Sequence, residues 1–165
     1  MRGGRVRRSP ATSPAQSLAL SGVPCNALSD CRAVVSDRVE RLRPVYAEWA
    51  KGNLGAATEL LAPDLVYSGY SPDGIVRTEG LEEFGRFVQA FLADWDDYRV
   101  EADEFVQLED DVVLVVGRHY GSGKRSGVAV DDPVFNVWVF RGEQVAGLHF
   151  YADRESALRA AGLRA

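Results

Sequence analysis

The first regular pattern of apolar residues along the chain is helical and begins at Ser36, a favourable N-cap residue. It predicts a helix that runs to about Lys51, with Pro44 allowing a kink or a later start. Gly-Asn at 52–53 ends this helix, because both residues tolerate the left-handed conformation of a C-cap. A second, short helix is predicted over 54–61.

A strand and a third helix follow. Residues 65–70 are predicted to form the strand, which a Ser-Pro-Asp-Gly turn at 71–74 closes. The third helix opens at Glu79-Gly80 and carries apolar side chains at helical spacing: Leu81, Phe84, Val88, Phe91 and Leu92.

After Asp94 the apolar period changes from 3.6 to 2, which indicates strands. Four strand-like runs follow: 98–108, 112–120, 130–140 and 144–151. Their short joints predict antiparallel neighbours, and a last amphipathic helix covers 154–163. Glycines within the runs indicate a strongly bent sheet. The prediction is therefore an α+β fold, a cone-shaped and mainly antiparallel sheet wrapped by N-terminal helices and enclosing a pocket.

Charge divides the chain into two parts. Residues 1–34 hold five arginines and a single acid, Asp30, without apolar periodicity, and are predicted to be a disordered basic tail. Residues 35–165, the predicted domain, hold 14 basic and 23 acidic residues. Such an acidic domain argues against a nucleic-acid partner, since phosphates would be repelled.

Two features near the N-terminus bear on metal binding and on the compartment of the protein. Cys25 and Cys31 lie before the periodic part, without a nearby histidine, so neither a disulfide framework nor a metal site is predicted. The longest apolar stretch of the tail, 18–20, is too short for a signal peptide. No run approaches the length of a membrane span. We expect a cytoplasmic protein without a membrane partner.

Three segments carry a family resemblance: YAEWAKGNLGAATELLAPDLVYSG (46–69), EGLEEFGRFVQAFL (79–92) and VFNVWVFRGEQVAGLHFYADRESALRAAGL (134–163). Together they resemble the nuclear-transport-factor-2-like superfamily, especially its SnoaL-like and ketosteroid isomerase-like branches, over about 37–163. The resemblance implies a cone-shaped pocket and, often, a homodimer formed across the sheet. It does not imply one reaction, because the fold hosts isomerases, cyclases, hydrolases, dehydratases and non-enzymes.

The catalytic positions of ketosteroid isomerases are only partly retained. The helix-1 tyrosine position corresponds to Val45, with Tyr46 beside it, and the general-base position corresponds to Gly69. The late acid position corresponds to Asn136, which can still donate a hydrogen bond to a ligand oxygen. Because the base is missing, steroid isomerisation itself is not predicted.

Two further residues are candidates for chemistry, each with a structural alternative. Strand alternation and the resemblance place His119 inside the cone, where it is either a proton-transfer group or a satisfied polar residue. Asp153 matches a key aspartate of SnoaL-like cyclases, or it is simply the N-cap of the last helix. His149 is predicted on the outer face of the sheet.

The aromatic residues suggest the wall of the pocket and its ligand. Five are candidate ligand-binding residues: Tyr46, Trp49, Tyr67, Trp138 and Phe150. Such a wall favours a flat, largely apolar molecule with one or two oxygens. Two functions stay open: an isomerase, cyclase or hydrolase using acid–base chemistry without cofactors, or a binding or dimerisation module without turnover.

Overall fold

The computed structural model describes the backbone of residues 26–71 and 74–162, with most side chains from Asp37 onward. The helices are α1 (Asn26–Trp49), a 3₁₀ helix (Leu54–Leu60), α2 (Leu81–Ala93) and α3 (Arg154–Ala160). The strands are β1 (Leu61–Ser71), β2 (Gly74–Glu79), β3 (Trp95–Glu109), β4 (Val112–Gly123), β5 (Ala129–Arg141) and β6 (Gln144–Tyr151).

The six strands form one mixed sheet in the order β2-β1-β6-β5-β4-β3. β1 and β6 are parallel, and the other neighbours are antiparallel. The register shifts three times along β3 against β4, and once between Leu61 and Val66 of β1. Such irregularities bend strands, and the result is a curved, open sheet. The predicted α+β cone is confirmed, including the mixed character of its sheet.

Strand alternation sorts the apolar side chains onto two faces of the sheet. The inner face carries Val113, Val115 and Trp138 and packs against α1 through Leu42 and Tyr46. The outer face is covered in part by α3, whose Ala157 is buried with a second set of apolar residues, Leu114 and Val137 among them. Burial on both faces explains why the centre of β4 is continuously apolar, and why that of β5 is apolar apart from Asn136.

The start of the first helix differs from the prediction. α1 begins at Asn26, so Ser36 lies inside it and is not its N-cap. No glycine or proline interrupts 26–43, and the chain can therefore continue as helix through this stretch. Pro44 also lies within α1. The predicted end of the tail at residue 34 falls inside this helix, while 1–25 and the side chain of Cys31 lie outside the described part.

The N-terminal half of the sheet also differs from the prediction. β1 begins at Leu61, four residues early, and contains Pro63 where its register with β6 shifts, a position that tolerates a missing N–H. β2 was not predicted, because this edge strand is mostly exposed. Of its described residues, only Thr78 is buried. Residues 72–73 of the predicted turn lie outside the described residues.

Candidate functional site

A cavity of about 570 Å³ lies between α2 and the inner face of the sheet. Its described lining contains no lysine or arginine, and its ionisable groups are phenols, His119 and Asp132. Half of the lining residues are aromatic: Trp49, Tyr67, Tyr70, Phe84, Phe87, Phe91, Trp95, Tyr98, Phe150 and Tyr151. The wall is therefore largely apolar and rich in flat π-faces.

Helical spacing on α2 and alternation on the strands create this wall. Phe84, Phe87 and Phe91 follow one face of α2, at intervals of three and four residues. Tyr67 of β1 packs against Phe84 and Phe87 with ring centroids 5.0 and 5.2 Å apart, and against Phe150 of β6 at 5.7 Å. The helix thus closes the open side of the curved sheet through aromatic contacts.

The polar part of the wall centres on His119 of β4 and Tyr98 of β3. The phenolic oxygen of Tyr98 lies 3.1 Å from Nδ1 of His119, and the two rings meet edge to face. Tyr98 also packs edge-on against Phe91, with centroids 5.0 Å apart. Burial raises the pKa of Tyr98, which therefore stays protonated near neutral pH. The pair is a hydrogen-bonded phenol and imidazole on an otherwise apolar wall.

Asp132 lies directly opposite His119 on the neighbouring strand β5. Opposed residues in an antiparallel pair project to the same face, and both residues line the cavity. Burial lowers the pKa of His119, whereas the negative charges of Asp132 and Asp131 act in the other direction. The net direction is downward, so the imidazole is neutral at pH 7 and can accept a proton.

Asn136, Tyr46 and Trp138 lie deeper than the cavity wall. Nδ2 of Asn136 donates to the Tyr46 hydroxyl at 2.8 Å, and Nε1 of Trp138 donates to the same oxygen at 3.0 Å. All three side chains are buried, and none of them lines the cavity. Burial also raises the pKa of Tyr46. The structure therefore places these three predicted site residues in a hydrogen-bonded layer between α1 and β5.

The other predicted wall residues, Trp49, Tyr67 and Phe150, do line the cavity. Nε1 of Trp49 donates to the carbonyl oxygen of Leu54 at 3.2 Å, which joins α1 to the 3₁₀ helix. Phe150 brings β6 to the wall through its contact with Tyr67. Their role in ligand binding stays a prediction.

Asp153 has a structural partner outside the cavity. One carboxylate oxygen of Asp153 accepts a hydrogen bond from the backbone N–H of Ser156 at 2.7 Å, and the other accepts one from the Ser156 hydroxyl at 2.8 Å. This is the N-cap of α3, the alternative that the sequence left open. The backbone and hydroxyl hydrogen bonds of Ser156 lower the pKa of Asp153.

His149 belongs to a separate, half-buried position on the outer face of the sheet. Its Nδ1 lies 2.8 Å from the hydroxyl of Ser68 on β1. Burial lowers the pKa of His149, and the nearby charge of Arg77 lowers it further. His149 alternates with Leu148 and Phe150, which line the cavity.

Sequence reasoning missed Tyr98, which is hydrogen-bonded to His119, and Asp132, which lies opposite His119 on β5. Counting along β3 from the pair Glu109–Val112 would place Ala102 opposite His119. Two register shifts bring Val100 to that position instead, and they move Tyr98 toward His119 as well. Nothing in the sequence marks those bulges. The position of Asp132 opposite His119 could have been predicted, because the β4–β5 register runs without a shift from Val112 to Ser122.

Comparison with known proteins identifies the family. The sequence profile of the SnoaL-like domain family matches residues 42–148, which include β1 to β5 and most of β6. The chain belongs to this family. Among proteins with curated descriptions, none matches this sequence.

Solved structures share the SnoaL-like fold. A protein with a ketosteroid isomerase-like fold from Catenulispora acidiphila DSM 44928, in complex with trimethylamine, is 22% identical with a TM-score of 0.56 and covers 72% of this chain and 89% of its own. A protein assigned as a SnoaL-like polyketide cyclase from Jannaschia sp. CCS1 is 20% identical with a TM-score of 0.58, covering 78% and 91%. One assigned as a polyketide cyclase from Xanthomonas campestris is 19% identical with a TM-score of 0.56, covering 76% and 95%. These identities establish the fold alone.

No helix within residues 26–71 and 74–162 is both long and apolar enough to cross a membrane. In the same ranges, no three His, Cys, Asp or Glu side chains are grouped so that they could hold a metal ion.

Proposed function

We propose that this SnoaL-like protein binds a small, largely apolar, oxygenated molecule in its aromatic cavity and performs acid–base chemistry on it with His119. The observation that carries the proposal is the hydrogen bond between Tyr98 and Nδ1 of His119 on the cavity wall. An isomerase, cyclase or hydrolase each needs such a positioned proton acceptor. No metal or organic cofactor is required, because imidazole itself accepts and returns the proton.

The hydrogen bond at Nδ1 assigns a role to each imidazole nitrogen. When Nδ1–H donates to the phenolic oxygen of Tyr98, the lone pair lies on Nε2. Nε2 then takes a proton from a carbon next to a ligand carbonyl, and the electron pair of the broken C–H bond forms an enolate. The imidazolium returns a proton to carbon or oxygen. Asp132 attracts the imidazolium electrostatically during this step.

The ligand class follows from the wall. Among the described residues, ten aromatic side chains and no lysine or arginine line the cavity, which suits a flat apolar or polycyclic molecule. The two structural relatives assigned as polyketide cyclases are consistent with such a ligand. We infer a cytoplasmic protein that binds neither nucleic acid nor a membrane, as the acidic domain suggests.

The second candidate is a binding module without turnover. It is favoured by the positions of Asn136 and Asp153, because two of the three predicted catalytic residues lie off the cavity wall. A homodimer across the sheet, which the family resemblance implies, belongs to either candidate. Sedimentation of the full chain would measure its mass in solution.

Deuterium exchange into 2-tetralone separates these candidates. This flat ketone has acidic C–H bonds next to its carbonyl, and its binding can be followed by quenching of Trp49 and Trp95 fluorescence. We expect the protein to bind it and to accelerate exchange in D₂O, and His119→Gln to abolish the acceleration while retaining binding. Binding without accelerated exchange would support the binding module. Absence of binding would overturn both.

A further inference from the structure

Tyr67 contributes a hydroxyl to the cavity wall. Its side chain lines the cavity and is only 6% exposed. Within the described ranges, no donor or acceptor pairs with this hydroxyl. The neighbouring polar groups are satisfied, since Tyr98 pairs with His119 and the Trp49 indole pairs with Leu54. The hydroxyl is not one of the fully buried, unpartnered atoms of the described residues, so it reaches the cavity space and its O–H is available to a bound molecule.

The phenol of Tyr67 is held in place from several sides. Its ring contacts Phe84 and Phe87 of α2, and Phe150 of β6. Gly69, the next inward-facing residue of β1, leaves the space that the hydroxyl occupies. A Cβ at position 69 would collide with this hydroxyl and lie 2.8 Å from the ring carbon that bears it. The hydroxyl is therefore positioned before any ligand arrives.

The protonation state of Tyr67 determines which kind of group it can bind. Burial raises the pKa of Tyr67, and the proximity of Tyr98 raises it further. The hydroxyl therefore remains a phenol near neutral pH, and its O–H is the group without an acceptor. Tyr67, Tyr98 and His119 line the same cavity.

We propose that the Tyr67 hydroxyl donates a hydrogen bond to an oxygen of the bound ligand and so selects aromatic ketones and related oxygenated molecules over hydrocarbons of the same shape. The inference rests on the proposed function, because it names a contact within the same cavity. A ligand oxygen at Tyr67 orients the molecule, with its neighbouring carbons toward His119. Tyr67 is thus a specificity-determining residue that acts without taking a proton from the ligand.

A pair of ligands that differ in one atom tests this contact. 2-Acetylnaphthalene carries a carbonyl oxygen where 2-isopropenylnaphthalene carries a methylene group, and the two molecules have nearly the same shape. We expect Tyr67→Phe to weaken binding of the ketone roughly fivefold, the size of a lost hydrogen bond. Binding of the alkene should stay essentially unchanged, because it has no acceptor. Fluorescence quenching of the full-length protein measures both dissociation constants.

Two further variants make the result specific. Tyr120→Phe removes a phenol of β4 that packs under Arg99 of β3 and does not line the cavity, so both ligands should bind as in the wild type. Gly69→Ala keeps the Tyr67 hydroxyl but fills the space that it occupies. This variant should weaken binding of the ketone more than binding of the alkene. If Tyr67→Phe changes the dissociation constants of both ligands equally, or changes neither, the inference is wrong while the cavity remains a binding site. If the wild type binds neither ligand, the proposed function falls and the inference with it.

Discussion

Nδ2 of Asn136 donates a hydrogen bond to the hydroxyl of Tyr46 across 2.8 Å, in a buried layer behind the cavity. The same oxygen accepts from Nε1 of Trp138, so both phenol lone pairs are used. Oδ1 of Asn136 has no partner within the described ranges. Residues that the sequence suggested for catalysis and ligand binding therefore hold α1 on β5.

This arrangement predicts unequal costs for two substitutions. Tyr46→Phe leaves two buried donors without an acceptor and should lower the free energy of unfolding by about 2–4 kcal/mol. Asn136→Leu should cost less, because it also removes the unpaired Oδ1 and leaves Tyr46 with its Trp138 donor. Urea denaturation measures both values. The opposite order would contradict the hydrogen-bond assignment, and a loss of 2-tetralone exchange in a folded Asn136→Leu variant would restore Asn136 to the catalytic site.

Asp153 provides a second test of structural against catalytic roles. Asp153→Ala removes both bonds to Ser156 and should destabilise the protein by about 1 kcal/mol, the usual cost of losing an N-cap. Asp153→Asn should recover most of that stability, since asparagine is an equally good cap. Neither variant should alter 2-tetralone exchange. A stable Asp153→Asn variant without exchange activity would instead support the cyclase-like role.

Much of the fold could be predicted because its signals are local. The 3.6-residue period marks α2, the change to period 2 after Asp94 marks β3 to β6, and Gly-Asn at 52–53 lies at the end of α1. β2 lacked such a signal, because an exposed edge strand shows no apolar alternation. The early start of α1 was hidden as well, since 26–35 is free of helix breakers but has no apolar stripe.

The site was less predictable because it depends on register and depth. Alternation distinguishes the two faces of a strand, so it indicated the inner face for His119, Asn136 and Trp138 alike. It could not tell that His119 reaches the cavity while the other two lie beneath α1. The bulges of β3 concealed Tyr98 for the same reason, since they change pairing without changing composition.

Gly69 predicts a steric effect that tests the position of Tyr67 independently of any ligand. Gly69→Ala places a methyl group against the Tyr67 phenol, whose ring is held by Phe84 and Phe87, so the free energy of unfolding should fall by about 1–3 kcal/mol. Gly85→Ala is the matched control. No described residue lies within 4 Å of its added Cβ in the interior of α2, so this variant should be more stable by about 0.5–1 kcal/mol. Equal stabilities for the Gly69→Ala variant and the wild type would show that the phenol lies elsewhere.

The pH dependence of 2-tetralone exchange tests the pairing of His119 with Asp132. Because burial lowers the pKa of His119, its neutral, proton-accepting form predominates above a pH that lies below the ordinary histidine value of about 6.5. The exchange rate should therefore rise with pH, inflect below 6.5 and be constant at neutral pH. Of the two carboxylates that favour the imidazolium, Asp132 has the larger effect on the pKa of His119, so Asp132→Asn should move the inflection to lower pH.

A carboxylate at the far end of the sheet provides the control for this shift. Asp110 lies in the β3–β4 joint and is exposed, so Asp110→Asn should leave the inflection where it is. A shift of equal size in both variants would show that the effect comes from the net charge of the protein and not from the pairing of Asp132 with His119. An inflection that stays in place in Asp132→Asn but disappears in His119→Gln would keep His119 as the titrating group and remove Asp132 from the site. Because Asp132 is exposed at the rim, added salt should reduce its contribution and move the wild-type inflection toward that of Asp132→Asn.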